Sequence, residues 1–362
     1  MPFPRNNILR RRPGRPIRYS IPAACTRHLV FACRIGGRGW RCAWKSFSTG
    51  SNPLVANKLK GLPLYHPRFW LTWVAVGVLR LLALLPYGLI QTLGPAVGRL
   101  YVLAMPGRKV IARTNIDLCF PDRSPEWRKQ LLKDSFDSLG KTLLEAPLAW
   151  WAPTRRVAKL AHIHGMENLQ AALARGKGVL LLTAHLNSPE FGGRLLVNEQ
   201  SFVAMYRPSN NPVIDRMISR ARLRWLPQII TRHNVRGVIR ALKEGKAVWY
   251  AVDQNAGRRE SVFAEFFGIP ASTNPATARL ARLSGALVVP FRAVRREDGK
   301  GHDIFLEAPW EDFPSGDLVA DTRRVNDLVE RWVRETPEQY MWIHRRFRTR
   351  PQRSDPRLYP VD

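Results

Sequence analysis

The 362-residue sequence predicts an α/β protein, with a central, mostly parallel sheet flanked by helices. Three observations carry that expectation. From Ala161 onward, short apolar runs alternate with helix-length amphipathic segments. One of these runs, Gly178-Val-Leu-Leu-Leu-Thr-Ala184, is too short for a helix and apolar enough to be covered on both faces, as parallel strands are. Three runs also end in polar residues: His185 followed by Glu190, Tyr206-Arg207, and Asp253-Gln254-Asn255. In an open parallel sheet such ends gather at one edge, where ligands bind.

Residues 1–60 hold thirteen Lys or Arg and no Asp or Glu. Without a sustained period they read as a disordered leader, or as upstream sequence translated from a start codon set too early. A basic arm or Arg-rich targeting peptide is the functional alternative. Cys25, Cys33, Cys42 and Cys119 show no close metal spacing and read as free thiols of a reducing compartment.

The next unit, residues 61–106, opens on Tyr65-His-Pro-Arg-Phe-Trp-Leu-Thr-Trp-Val. From Phe69 to Leu85 it is apolar except for Thr72 and Arg80. That length is the lower edge of a spanning helix, and Arg68, Trp70 and Trp73 flank it as interfacial anchors do. Arg80 at mid-depth is costly unless the helix lies in the interface. The expectation is a membrane anchor, spanning once or lying in the interface. Pro86 breaks the run, and a second amphipathic stretch follows to Met105.

Ser124-Pro125-Glu126 starts a long helix, with Ser124 as cap and Pro125 at its first position. Its apolar residues, including Leu144 and Leu148, are expected in the core rather than in an acyl-chain groove. Helices are further expected after Gly165, from Ser188-Pro189-Glu190, from Asn211-Pro212, over 235–243, over 277–284 and over 321–335. Strands are expected over 201–206, 247–252, 286–289 and from Ile304. Residues 352–362 form a tail.

The net charge is +30, from 58 basic and 28 acidic residues, and +17 of it lies beyond the leader. So basic a chain calls for an anionic partner: nucleic acid, a membrane surface, a phosphorylated substrate or an acidic protein. Twelve Trp and fifteen Phe are many for a nucleic-acid binder and suit a lipid interface. No nucleic-acid partner is expected. Gly-x-Ser-x-Gly and Gly-rich phosphate loops are missing. His162 and His164 have no third or fourth ligand at zinc spacing, so neither a metal nor a cofactor is expected.

An imidazole oriented by a carboxylate is a general base for a hydroxyl. His185 precedes the helix start and Glu190 lies in its first turn, so the carboxylate is expected to reach back to the ring. Arg207 could face a phosphate or a developing oxyanion. Asp253 could hold the acceptor or an arginine.

His185-x4-Glu190, Tyr206-Arg-Pro-Ser-Asn-Asn-Pro212, Val248-Trp-Tyr-Ala-Val-Asp253, Thr277-x-Arg-Leu-Ala-Arg-Leu-Ser-Gly-Ala286 and Pro337-Glu-Gln-Tyr-Met-Trp-Ile-His-Arg-Arg-Phe347 resemble the late acyltransferases of lipid A biosynthesis. These are the lauroyl, palmitoleoyl and myristoyl transferases of Gram-negative bacteria. His66-Pro-Arg-Phe-Trp-Leu-Thr-Trp and Asn115-x-x-Leu-Cys-Phe-Pro121 match as well, so the likeness runs over about residues 62–351. It departs at Leu186-Asn-Ser-Pro189, where a more apolar stretch is common. The resemblance implies a glycerolipid-acyltransferase-like domain over 107–351, cytoplasmic, at the cell inner membrane. It implies transfer of a fatty acyl chain, lauroyl or near it, from acyl carrier protein to a 3-hydroxyl on Kdo-lipid IVA. His185 and Glu190 take the catalytic positions of the family motif, with Arg207 beside them. Tyr206, Asp253, Arg345 and Arg346 are substrate-contact candidates. Two alternatives stand beside it. One is a related glycolipid or glycerolipid acyltransferase with another acceptor, and the other is a non-catalytic basic protein binding membrane or nucleic acid.

Overall fold

The runs of β-branched and leucine residues do assemble into one sheet. The computed structural model describes residues 62–186 and 188–360. The leader expected over 1–60, with Cys25, Cys33 and Cys42, lies outside the described residues.

The chain first forms four helices: α1 (Trp70–Leu82), α2 (Tyr87–Ala104), α3 (Pro106–Cys119) and α4 (Pro125–Trp151). Ser124 caps α4 as expected, accepting from Trp127 N–H at 3.2 Å. A short α5 (Thr154–Ala158) leads into an alternation of β1 (Ala161–His164), α6 (Met166–Ala174), β2 (Val179–Thr183), α7 (Pro189–Leu196), β3 (Val203–Tyr206), α8 (Pro212–Arg222), β4 (Gln228–Thr231), α9 (Val235–Lys243) and β5 (Ala247–Ala251). Then come a hairpin of β6 (Val262–Phe266) and β7 (Ile269–Thr273), α10 (Ala276–Ser284), β8 (Leu287–Arg295), β9 (His302–Leu306) and α11 (Leu318–Glu335).

Seven strands form the sheet in the order β1-β9-β8-β2-β5-β3-β4, and every pairing is parallel except β8 with β9. All five residues of β2 are buried. Because side chains alternate along a strand, Leu180 and Leu182 enter one core and Val179 and Leu181 the other. The first core is shared with α3, α9, α10 and α11, and the second with α4, α6 and α7. Leu144 and Leu148 of α4 are buried in the second core, so this stripe is packing and not an open groove.

The apolar run Phe69–Leu85 does not make one spanning helix. It yields thirteen helical residues, about 20 Å long at helical rise, against a hydrocarbon core of about 30 Å. Among the described residues no helix is long and apolar enough to cross a membrane. Arg80 lies in the last turn of α1, its guanidinium over the Trp151 ring at 5.9 Å. The outer faces of α1 and α2 nonetheless expose large apolar side chains, Leu71 at 81% and Leu103 at 77% among them.

Candidate active site

Neighbouring strands bring two of the predicted residues, His185 and Asp253, together at the carboxyl edge of the sheet. β2 and β5 are directly paired, and Val252 N–H still bonds to Thr183 O at 3.2 Å just past their ends. His185 and Asp253 therefore leave the sheet side by side. The Asp253 carboxylate accepts from His185 Nδ1–H at 2.7 Å and from the His185 backbone N–H at 3.0 Å. That fixes the tautomer, because the ionised carboxylate only accepts and Nδ1 must carry the proton. The lone pair on Nε2 is left pointing away and takes the Gln254 amide at 3.1 Å. His185 keeps about a quarter of its side chain exposed, while Asp253 is buried.

The electrostatics follow from this pairing. Burial alone would drive the Asp253 carboxyl up, but the His185 charge and hydrogen bonds hold it at about 2. Burial opposes the charged imidazole, yet Asp253 raises its pKa above the ordinary value.

The segment after the 3₁₀ turn Pro337–Gln339 straps the histidine from behind. Leu186 bridges to Tyr340, and Met341 N–H donates to His185 O at 3.1 Å. Tyr340 is buried within hydrogen-bonding reach of Asp253, and both burial and that carboxylate raise its pKa. His344 Nε2 accepts the Asn255 N–H at 3.0 Å. Burial pushes its pKa down to about 4, so it stays neutral.

Glu190 does not reach back to His185. Its carboxylate is held by Arg222, through Nε at 2.9 Å and through NH2, and by Trp150 Nε1–H at 3.0 Å. The expected orienting role belongs to Asp253. The physical reason lies in the turn: Ser188 adopts a left-handed conformation (φ 68°), which aims the first turn of α7 towards α4 and α8. Ser188 also does not cap α7. Its hydroxyl bonds to Glu145 instead.

The other candidates separate. Arg207 is exposed at the end of β3, two strands from β2, and its electrostatic neighbours are Arg232 and His233 beyond β4. No contact joins it to the imidazole among the described residues. Tyr206 is half-buried near Arg222. Arg346 is buried and structural: it donates to Ser272 O at 2.8 Å and Thr273 Oγ1 at 2.6 Å, leaving no hand for substrate. Arg345 is half-buried beside Tyr359. Gln254, Tyr340 and His344 belong to the site without having been given a role. Gln254 follows Asp253 directly, which was the one local signal. No cluster of His, Cys, Asp or Glu among the described residues could hold a metal ion.

The partly exposed histidine, the buried aspartate behind it and the strap that carries Trp342 all lie within the stretch that a family profile spans. The profile of the bacterial lipid A biosynthesis acyltransferases matches residues 60–349. The chain belongs to that family. Over 290 residues it is 40% identical to the lipid A biosynthesis lauroyltransferase of Escherichia coli (strain K12), covering 80% of this chain and 95% of that protein. It is 40% identical over 287 residues to the palmitoleoyltransferase of the same organism, covering 79% of this chain and 94% of that protein. The Escherichia coli myristoyltransferase is 28% identical over 308 residues, 82% of this chain and 94% of that protein. The protein is thus an acyltransferase, and its fold is the helix-flanked, mostly parallel sheet expected.

Proposed function

We propose that this acyltransferase moves a fatty acyl chain, lauroyl or of similar length, from acyl carrier protein to a 3-hydroxyl on an acyl chain of Kdo-lipid IVA. The observation that carries the mechanism is the His185–Asp253 pair, with Nε2 turned to the open side. His185 Nε2 takes the proton from the acceptor hydroxyl as its oxygen attacks the thioester carbonyl. Asp253 stabilises the imidazolium that forms. Collapse of the tetrahedral intermediate breaks the C–S bond, and His185 returns the proton to the leaving thiolate. Such a base is worth about a hundred- to ten-thousand-fold. Backbone N–H groups near His185 hold the developing oxyanion. Arg207 and Arg232, which have no carboxylate within ion-pair distance among the described residues, take the acceptor's phosphate or carboxylate groups. Gln254 is displaced by the incoming hydroxyl.

The exposed apolar stripe of Trp70, Leu71, Val74, Val78 and Leu81 recurs at helical spacing on α1. With Leu100 and Leu103 of α2 it supports the reading that these helices lie in the membrane interface, on the cytoplasmic side of the inner membrane. The +17 of the body beyond the leader then faces an anionic leaflet, an acidic carrier and a phosphorylated acceptor.

The test is mass spectrometry of lipid A from cells lacking each late acyltransferase, with this protein or its His185→Ala variant supplied. One added acyl chain with the wild type and none with the variant is expected. Equal lipid A in both would sink the assignment.

A further inference from the structure

The turn between His185 and Glu190 is held by a charge cluster that the transfer chemistry does not use. Glu145 of α4 has no exposed surface. Arg295, at the end of β8, meets it with two hydrogen bonds, Nε to Oε1 at 2.8 Å and NH2 to Oε2 at 2.7 Å. Ser188 Oγ donates to Glu145 Oε2 and sits 3.4 Å from Arg295 NH2. Tyr87 and Gln91 of α2 donate to Oε1 at 3.0 and 3.1 Å. His302 of β9 lies 3.8 Å away, neutral because burial lowers its pKa to about 4. Lys141, one turn back on α4, also senses both charges.

Arg295 reaches the catalytic strap by its backbone. Its N–H donates to Gln339 Oε1 at 2.8 Å, and the Gln339 amide donates back to Arg295 O at 3.1 Å. One buried arginine therefore touches both sides of His185. On one side it holds Ser188 through Glu145. On the other it holds Gln339, next to the residues that bridge Leu186 and bond to His185 O.

A fully buried ion pair is poor value as a stabiliser, since desolvation offsets most of its attraction. Its position gives it another use. We propose that Glu145 and Arg295 are positioning residues of the acyltransferase, fixing the Ser188 turn and the Gln339 strap so that the His185 ring stays on Asp253. The proposal rests on His185 as the base. Ser188 is the connector: among the described residues its side chain is held by Glu145 and Arg295, with Thr142 at 3.3 Å, on a left-handed backbone.

Ser188→Ala and Ser188→Gly test it, the glycine variant because it accepts the left-handed backbone without strain. Expected is a fall in kcat of about 10- to 100-fold per folded enzyme, as for a displaced reacting group, with KM for the acceptor within about twofold. The His185 titration, followed by NMR of the imidazole, should move down by about half a unit or more as the Asp253 contact loosens. Glu145→Gln should move it the same way. Val238→Ala, on the buried face of α9, serves as the control for lost stability and should leave the titration in place. An unchanged His185 titration in both Ser188 variants overturns the proposal, whatever the melting temperatures do. The titration needs no turnover. If the wild type transfers no acyl chain, the acyltransfer reading fails while the positioning is still decided.

Discussion

Asp253 holds His185 at two atoms, ring Nδ1 at 2.7 Å and backbone N at 3.0 Å, across the directly paired strands β2 and β5. The double contact fixes both where the ring starts and how it turns. Asp253→Asn keeps the shape but replaces an acceptor-only carboxylate with an amide that can also donate, so the favoured tautomer is lost. The expected fall in kcat is about a thousand- to ten-thousand-fold. Near-wild-type turnover in Asp253→Asn would mean that the ring is oriented by something else.

The acid limb of activity follows from the same pair. As the proposed base, His185 works only when neutral, and Asp253 raises the pKa of its imidazole above the ordinary value. Activity should therefore rise with pH through a midpoint above about 6.5. A pH profile of kcat/KM checks this, and a midpoint below the ordinary histidine value contradicts the pairing.

Glu190 and Arg222 make a different prediction from the one the motif suggests. Both side chains are mostly buried, at 16% and 17% exposure. Glu190→Gln leaves Arg222 with a neutral partner, and breaking a buried pair costs about 3–5 kcal/mol. Residual solvent contact brings the expectation to about 2–3 kcal/mol. Activity should fall together with stability, and Glu190→Gln with Arg222→Leu should recover part of the melting temperature. In His185→Ala, by contrast, activity falls and the fold stays. A Glu190 variant that melts normally and is inactive would give Glu190 a direct chemical role.

This division marks how far the sequence could be read. His185 was legible because β2 is a run with one period and a sharp end. Its meeting with Asp253 needed only that the strands be parallel. The pairing of Glu190 was not legible, because it turns on the left-handed Ser188, a conformation that a serine rarely adopts and that is held from α4, over 40 residues away in sequence. β4 went unseen because four residues, Gln228–Thr231, give no period to count. The hairpin β6–β7 turns at Phe267-Gly268, with φ of 53° and 72°. A phenylalanine there is no turn signal. Glu330 holds its N–H at 2.6 Å, and the Phe120 and Phe266 rings pack on it. Arg346 looked like an anion ligand only because a buried guanidinium and an exposed one are written the same way.

Two neutral histidines set the acid stability. His302 and His344 both have folded-state pKa values lowered to about 4, burial being the main cause in each. Between that value and about 6.5 the unfolded chain binds protons that the native state does not, so stability rises with pH across this window. By pH 5 each should cost about 2 kcal/mol. The raised pKa of His185 acts with the opposite sign, its contribution present at low pH and lost as pH rises through the folded value. Unfolding melts at pH 5 and 7 should show the protein less stable at pH 5, and His302→Gln should flatten the difference. Equal melting temperatures at the two pH values, in wild type and variant alike, would contradict the neutral burial.

Helices α2 and α4 touch backbone to backbone. A Cβ on Gly140 would lie 2.0 Å from Gly94 O, and one on Gly98 would lie 2.0 Å from Phe136 O. Neither neighbour is a flexible side-chain end, so the helices must part. Gly140→Ala should cost about 2–3 kcal/mol, lowering the melting temperature by roughly 5 °C or more. Calorimetry decides it, and an unchanged melting temperature would mean that the two helices slide at no cost.

The exposed face of α1 and α2 carries the last prediction. Leu71, Leu81 and Leu103 are 81%, 66% and 77% exposed, with no protein to cover them among the described residues. Each leucine inserted in an interface contributes about 1 kcal/mol or more. Replacing all three with Gln should weaken binding to anionic vesicles on the order of a hundredfold. The melting temperature should hold, because these side chains are mostly exposed and belong to neither core. Transfer to a soluble, short-chain acceptor should also hold, whereas transfer to acceptor embedded in vesicles should fall with the binding. Vesicle flotation at two salt concentrations separates this apolar contribution from that of the basic body, since only the second is screened. If the triple variant floats as the wild type does at high salt, α1 and α2 do not enter the membrane interface.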